Sequence, residues 1–219
     1  MLRRVGLALV LCASACTKPA PPVAGRYDAA GTDVQAEDYP HVLASWTRDN
    51  RLYNGLENKV FVTSVFLTPE LRAAVRTAYP DVVGHGGAVT RDELATGPGN
   101  DLVFFVTMYT ADRKWNDLQA PTSIWKVTLK GASEVAPTSI VRVRPDENMR
   151  TVFPFIGRYD ETYVLRFAQG DGAVIGSGTN EATLRLASGL GETSLTWQLA
   201  RGTQPVPKTG EPPMAPAVR

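Results

Sequence analysis

The chain has 219 residues, 43% of them hydrophobic and 21% charged, enough length and apolar content to bury one real core. Its 23 basic and 22 acidic side chains nearly cancel, which argues against the positive field that a nucleic-acid partner needs. Both cysteines, Cys12 and Cys16, lie in the first sixteen residues. The body of the chain therefore holds no disulfide, cysteine nucleophile or cysteine metal ligand, and its stability has to come from packing.

Residues 1–16, MLRRVGLALVLCASAC, open with Arg3 and Arg4, continue as the apolar run Val5–Leu11 and place the small residues Ala13, Ser14 and Ala15 directly before Cys16. A spanning helix needs about 20 apolar residues, roughly twice what this stretch offers, so it reads as a processed address and not as a membrane span. The order resembles the signal peptide and lipobox of bacterial lipoproteins, with Ala13 where the usual lipobox has Leu. That resemblance implies cleavage before Cys16, a diacylglycerol on its thiol and an acyl chain on the new amine. An ordinary secretory signal is the alternative. Loss of residues 1–15 removes two arginines and leaves 21 basic against 22 acidic side chains, a net charge of −1. Each buried methylene adds about 0.8 kcal/mol, so two or three acyl chains on one cysteine make attachment effectively permanent. The implied location is the cell envelope, at the periplasmic face of the outer membrane.

Residues 16–38 follow as the lipidated cysteine and its tether. Pro19, Pro21 and Pro22 in Thr17–Ala24 favour extended polyproline II, and Gly25–Asp38, polar and aperiodic, reads as loop. From His41 to Asn50 the residues alternate, with Val42, Ala44, Trp46 and Arg48 against His41, Leu43, Ser45 and Thr47. That pattern predicts a first strand ended by Asp49-Asn50. Asn54-Gly55 is a turn dipeptide, and Lys59–Leu67, rich in Val and Phe, predicts a central strand covered on both faces.

Thr68-Pro69-Glu70 is a helix start: the Thr hydroxyl accepts a backbone N–H, Pro at the first position needs no donor, and Glu faces the positive end of the dipole. Leu71, Val75 and Ala78 then share a face, Arg72 and Arg76 the opposite one, and Pro80 stops the helix, predicted over residues 69–79. Thr90-Arg91-Asp92-Glu93 reads as a capping box for a second short helix near 90–96, ended by Gly97-Pro98-Gly99.

Strands resume with Asp101–Thr110, apolar on both faces, and Ser123–Lys130, which alternates. Val135 and Ile140–Arg144 follow, Val141 and Val143 pointing one way and Arg142 and Arg144 the other, before a turn at Pro145–Asn148. Thr151–Ile156 and Thr162–Ala168 read as two more strands, Gly170–Thr179 as a glycine-rich connection. Ala182–Leu186 and Ser194–Leu199 read as a hairpin with Ala182, Leu184, Leu186, Leu195, Trp197 and Leu199 inward. Five prolines after Gly202 keep residues 202–219 out of any ladder and predict a disordered tail.

Eight or nine short strands with one helical insertion predict a single domain over 39–201 that is all-β. The expected form is an antiparallel β-sandwich, immunoglobulin-like in architecture, with a small β-barrel as alternative. The segments WTRDNRLYNGL, KVFVTSVFLTPELRAAVRTAY and WNDLQAPTSIWKVTL, with LRLASGLGETSLTWQL near the end, resemble a family of uncharacterised bacterial lipoproteins. That family implies an envelope role but carries no activity and no site residue to transfer.

Candidate chemistry is sparse. Gly176-Ser177-Gly178 is a glycine turn and not a nucleophile elbow, and a serine nucleophile would need a base where the chain has only His41 and His85. Neither histidine has a His or Cys neighbour at metal-ligand spacing, and the glycines around His85 do not follow the pattern of a phosphate loop. His41 reads as a strand-end residue and His85 as a loop residue. No metal or other cofactor is implied. The acidic pairs Asp92-Glu93, Asp146-Glu147 and Asp160-Glu161 read as solvated turns and caps. Arg142, Arg144, Arg150, Arg158 and Arg166 could form a stripe, but the acids among them favour ordinary ion pairing. Trp46, Trp125 and Trp197 are expected in the core, and Trp115, in a polar run, at the surface. Trp115, Arg142 and Arg144 are the candidate contact surface. The reading is a lipid-anchored, non-catalytic envelope lipoprotein that acts as a protein-binding or structural module, with the membrane and another envelope protein as partners. A small-ligand or lipid carrier and a cell-wall hydrolase are the alternatives.

Overall fold

The computed structural model describes residues 25–26, 35–54, 57–85, 101–170 and 174–200. The leader with Cys16, the tether 17–24, the turn residue Gly55, the capping-box segment 90–99 and the tail 202–219 lie outside the described residues.

The chain forms an all-β sandwich of two five-stranded sheets. One runs β1–β10–β9–β5–β6, made from Gly25–Arg26, Gly191–Ala200, Glu181–Ser188, Lys126–Lys130 and Glu134–Val135. The other runs β2–β3–β4–β8–β7, made from Thr47–Asn54, Glu57–Phe66, Leu102–Thr110, Glu161–Phe167 and Ser139–Val143. Every pairing is antiparallel except the short parallel contact of β1 with the end of β10. Gly25 and Arg26, expected in a loop, thus add a strand to the β10 edge. β3 has a neighbour on each side, and the centre of its sheet is β4, whose residues are buried on both faces.

Among the described residues four α-helices punctuate the strands: α1 (Tyr39–Trp46), α2 (Pro69–Ala78), α3 (Pro80–His85) and α4 (Glu147–Val152). The first corrects the expected strand over 41–50. Pro40 sits in the opening turn, and Tyr39, Val42, Leu43 and Trp46 fall at i, i+3, i+4 and i+7, so a helical stripe overrides the shorter two-residue alternation. The strand begins only at Thr47. In α2 the Thr68 hydroxyl accepts from the Leu71 N–H at 3.3 Å as its residue types predict, and Leu71 and Val75 are fully buried. Arg72 departs from expectation: it is buried, with Nε donating to Leu67 O at 2.9 Å. Glu70 is buried too and accepts from Trp46 Nε1 at 2.8 Å, which locks α2 to α1.

The expected turn at 145–148 and strand at 151–156 are also replaced. Asp146 is an N-cap, its Oδ1 accepting from the Met149 N–H at 2.7 Å, and α4 then buries Met149 and Val152. The local cap wins because Asp with a free N–H three residues on offers the backbone a partner before any ladder can.

Between the sheets the space is filled by aromatic rings. Phe66 and Phe104 stack at 4.4 Å, and Trp197 from the opposite sheet lies 5.1 Å from Phe104 and 6.2 Å from Phe66. Such pairs add about 0.5–1.5 kcal/mol each beyond their burial. The inward set expected from the β9–β10 hairpin, Ala182, Leu184, Leu186, Leu195, Trp197 and Leu199, is buried as the alternation requires. β2 approaches β10 without a ladder. Arg48 Nε donates to Thr196 O at 2.9 Å, Asn50 Nδ2 to Ser194 O at 3.0 Å, and Trp197 Nε1 to Trp46 O at 2.7 Å. Side chains thus close the seam that a barrel would close with backbone. On the far face of the second sheet, Phe153 stacks on Phe105 at 4.7 Å.

Candidate functional site

Trp46, Trp125 and Trp197 are buried, while Trp115 is half-buried in a single 3₁₀ turn, Arg113–Trp115. Asp112 caps that turn, accepting from the Lys114 N–H at 3.2 Å and lying 2.8 Å from its Nζ. Hydrogen bonding to Lys114 holds the Asp112 carboxyl below its ordinary range. The same ammonium stands 4.5 Å over the Trp115 ring. Trp125 Nε1 donates to Trp115 O at 2.7 Å, so the backbone of the turn is pinned while one ring face is covered by its neighbour.

Arg142 sits on β7 opposite Tyr163 of β8 and donates Nε to Glu161 Oε2 at 2.8 Å. That bond holds its guanidinium charged even more firmly than usual. The Tyr163 hydroxyl reaches back to Asn116 O at 2.8 Å, and burial pushes the phenol up to about 12. Through Tyr163 and Asn116 the fold links Trp115 with Arg142. Arg144 lies exposed just past the end of β7. No arginine stripe forms: Arg166 points to the face opposite Arg142, Arg150 donates to Ile156 O, and Arg158 lies over Tyr159.

The remaining candidates are held by local structure. Asp160 accepts from the Gly157 N–H at 2.9 Å, and Gly176 and Thr179 close the turn around the exposed Ser177. His41 is half-buried on α1 and His85 ends α3, so neither occupies the strand end or loop expected of it. Asp92-Glu93 lies outside the described residues. Among the described residues no group of three or more His, Cys, Asp or Glu side chains could hold a metal ion.

A groove of about 310 Å³ opens on the outer face of β2 and β3. Thr47, Asp49 and Arg51 of β2 lie opposite Val65, Thr63 and Phe61 of β3 and face the same way. The Arg51 guanidinium carbon lies 5.1 Å from the Phe61 ring centre, and the Phe61 and Tyr109 centres are 5.8 Å apart. Phe155, anchored against Phe105 and Phe153, supplies the other wall. Asn50 is committed, bonding to Ser194 O and to the Arg51 N–H. The Asp49 side chain has no hydrogen-bond or ion-pair partner among the described residues, and Arg51 makes no ion pair among them.

None of these residues was a site candidate in the sequence. Asp49 was part of an expected turn, and Phe155 part of an expected strand. Thr47–Asn54 carries no apolar alternation, and only the two-residue period of β2 itself puts Asp49 and Arg51 on one face.

Comparison with protein-family models, with curated proteins and with solved structures finds nothing that matches this chain.

Proposed function

We propose that the protein is an envelope lipoprotein, anchored through acylated Cys16 to the periplasmic face of the outer membrane, whose sandwich is a non-catalytic module that binds another envelope protein. The observation that carries the binding role is β7. It closes the order of its sheet, no described strand pairs with its outer edge, and Val141 on it is 48% exposed. A strand in that position offers backbone N–H and C=O groups to an extended segment of a partner, with side-chain contacts giving the choice of partner. Arg144, exposed at its end, favours an acidic segment. The anchor rests on the order of charged, apolar and small residues before Cys16.

The non-catalytic part is supported by what the candidate groups do. Asp146 caps a helix, Asp160 caps a turn, and Glu161 pairs with Arg142. The rings packed between the sheets take the space in which a lipid cargo would sit, so the carrier reading has less support.

A pull-down from detergent-solubilised envelopes with the wild-type chain and with Val141→Lys tests the role. The expected result is one partner captured by the wild type and lost by the variant; equal capture would overturn the edge as the site. Mass spectrometry of the purified protein should show acylated Cys16, and Cys16→Ser should leave the membrane fraction.

A further inference from the structure

The groove on the outer face of β2 and β3 lies at the opposite end of its sheet from β7 and owes nothing to the binding role proposed above. Its volume of about 310 Å³ falls at the small end of ligand pockets, which run from about 300 to 1,000 Å³. Three features define its chemistry. Asp49 and Arg51, two residues apart on one strand, point to the same face, about 7 Å apart along the backbone. They carry opposite charges yet do not pair with each other. Thr63, directly across from Asp49, brings a half-buried hydroxyl with no partner among the described residues.

The walls are apolar, Phe61 on one side and Phe155 on the other. A sugar would need an open aromatic face for stacking, and the Phe61 ring is overlaid by the Arg51 guanidinium, so a neutral glycan is a poor fit. Opposite charges that fail to meet, with apolar walls beside them, suit a ligand that itself carries both charges and a hydrophobic group. The guanidinium, planar by its own resonance and set over the Phe61 ring, can take a carboxylate through two parallel N–H donors. The carboxylate of Asp49 then takes an ammonium, with the Thr63 hydroxyl beside it.

We propose that this groove binds a small zwitterion, a free α-amino acid with an apolar side chain: ammonium on Asp49, carboxylate on Arg51, side chain between Phe61 and Phe155.

Calorimetric titration of the detergent-solubilised full chain with L-leucine tests this, with N-acetyl-L-leucine, L-leucinamide and the dipeptide Leu-Leu as parallel arms. The expected result is L-leucine binding with a Kd below about 1 mM, and binding roughly tenfold weaker or worse for the acetylated and amidated forms, each of which has lost one charge-assisted bond. Asp49→Asn and Arg51→Gln should each weaken L-leucine at least about tenfold. Both side chains are exposed, so thermal melts of the two variants should overlay the wild type and keep the comparison clean. No heat with L-leucine at 10-fold above that Kd, equal binding of the capped forms, unchanged affinity in both variants, or tighter binding of Leu-Leu would each overturn the assignment. Equal partner capture by the wild type and Val141→Lys would overturn the edge reading and leave this titration untouched, so the two readings fail separately.

Discussion

The β2–β3–β4–β8–β7 sheet ends differently on its two sides. At β2 the outer edge meets β10, and Arg48 and Asn50 send side-chain donors to Thr196 O and Ser194 O where a neighbouring strand would send backbone N–H groups. At β7 no described strand follows, and Val141 faces solvent. The difference teaches how a two-sheet fold can close one seam without becoming a barrel: a long cation satisfies carbonyls on both sides of a gap that a ladder cannot bridge. The seam that stays open is the one left to intermolecular use.

Arg48 is where the closed edge can be broken most severely. Besides Thr196 O, its guanidinium donates through Nη1 to Ser45 O at 2.9 Å and Thr47 O at 2.7 Å, at the end of α1. The negative pole of that helix favours a cation there, while burial pulls the guanidinium pKa below its usual value. Arg48→Ala should cost about 3 kcal/mol in urea unfolding, because one buried and two part-buried carbonyls lose a charged donor together. A loss under about 1 kcal/mol would mean that ring packing by Trp197 and Phe66 closes the seam unaided.

The open side has its own anchor in Tyr163. Tyr163→Phe should cost about 1 kcal/mol at neutral pH through the bond to Asn116 O. Its signature is clearer in alkali. The folded-state phenol titrates at about 12, against about 10 in the unfolded chain. The folded state therefore holds the proton more tightly. This contribution is fully present below pH 10 and is lost as the pH rises through 12. The melting temperature of the wild type should fall across that interval, and that of Tyr163→Phe should fall less. Parallel descents would assign the loss to other groups, Tyr39 first, whose phenol is raised further by burial.

Smaller effects separate the seams further. Asn50→Ala, losing an exposed bond across the closed edge, should cost about 0.5–1 kcal/mol. Arg142→Ala breaks an exposed ion pair beside the open one and should stay within about 0.5 kcal/mol. If the two values were reversed, the β7 side would be the one under structural load.

Much of this asymmetry was legible in the residues, and its gaps have physical causes. Two-sided apolar runs marked β3 and β4, alternation marked β7 to the right face, and the β9–β10 inward set came out complete. The Thr68 cap and the Leu71–Val75 stripe were readable because both are local. What failed was decided at longer range. Trp46 belongs to a helix because Glu70, twenty-four residues on, waits for its indole N–H. Arg72 looked like a solvated face until Leu67 O took its Nε. The groove needed Phe155, which a capped α4 delivers to β3 from more than ninety residues away. No period within one segment carries that information.

The least effect on stability is expected at Val141, and there it separates the two edges most cleanly. Val141 pairs across the sheet with the buried Val164, on the same face as Val143, yet is 48% exposed where Val143 is 9%. The exposed position already leaves much of its methyl surface in water, and a lysine there can lay its stem along Val164 while its ammonium stays hydrated. Val141→Lys should therefore unfold within about 0.5 kcal/mol of the wild type. Val143→Lys carries the same charge two residues along the same strand but must bury it, and should lose more than about 2 kcal/mol. Unfolding curves for the pair are a direct measure of how much of β7 is free. A Val141→Lys protein that loses as much as Val143→Lys would mean that the outer edge of β7 is covered as closely as that of β2, and the contrast between the two seams would vanish.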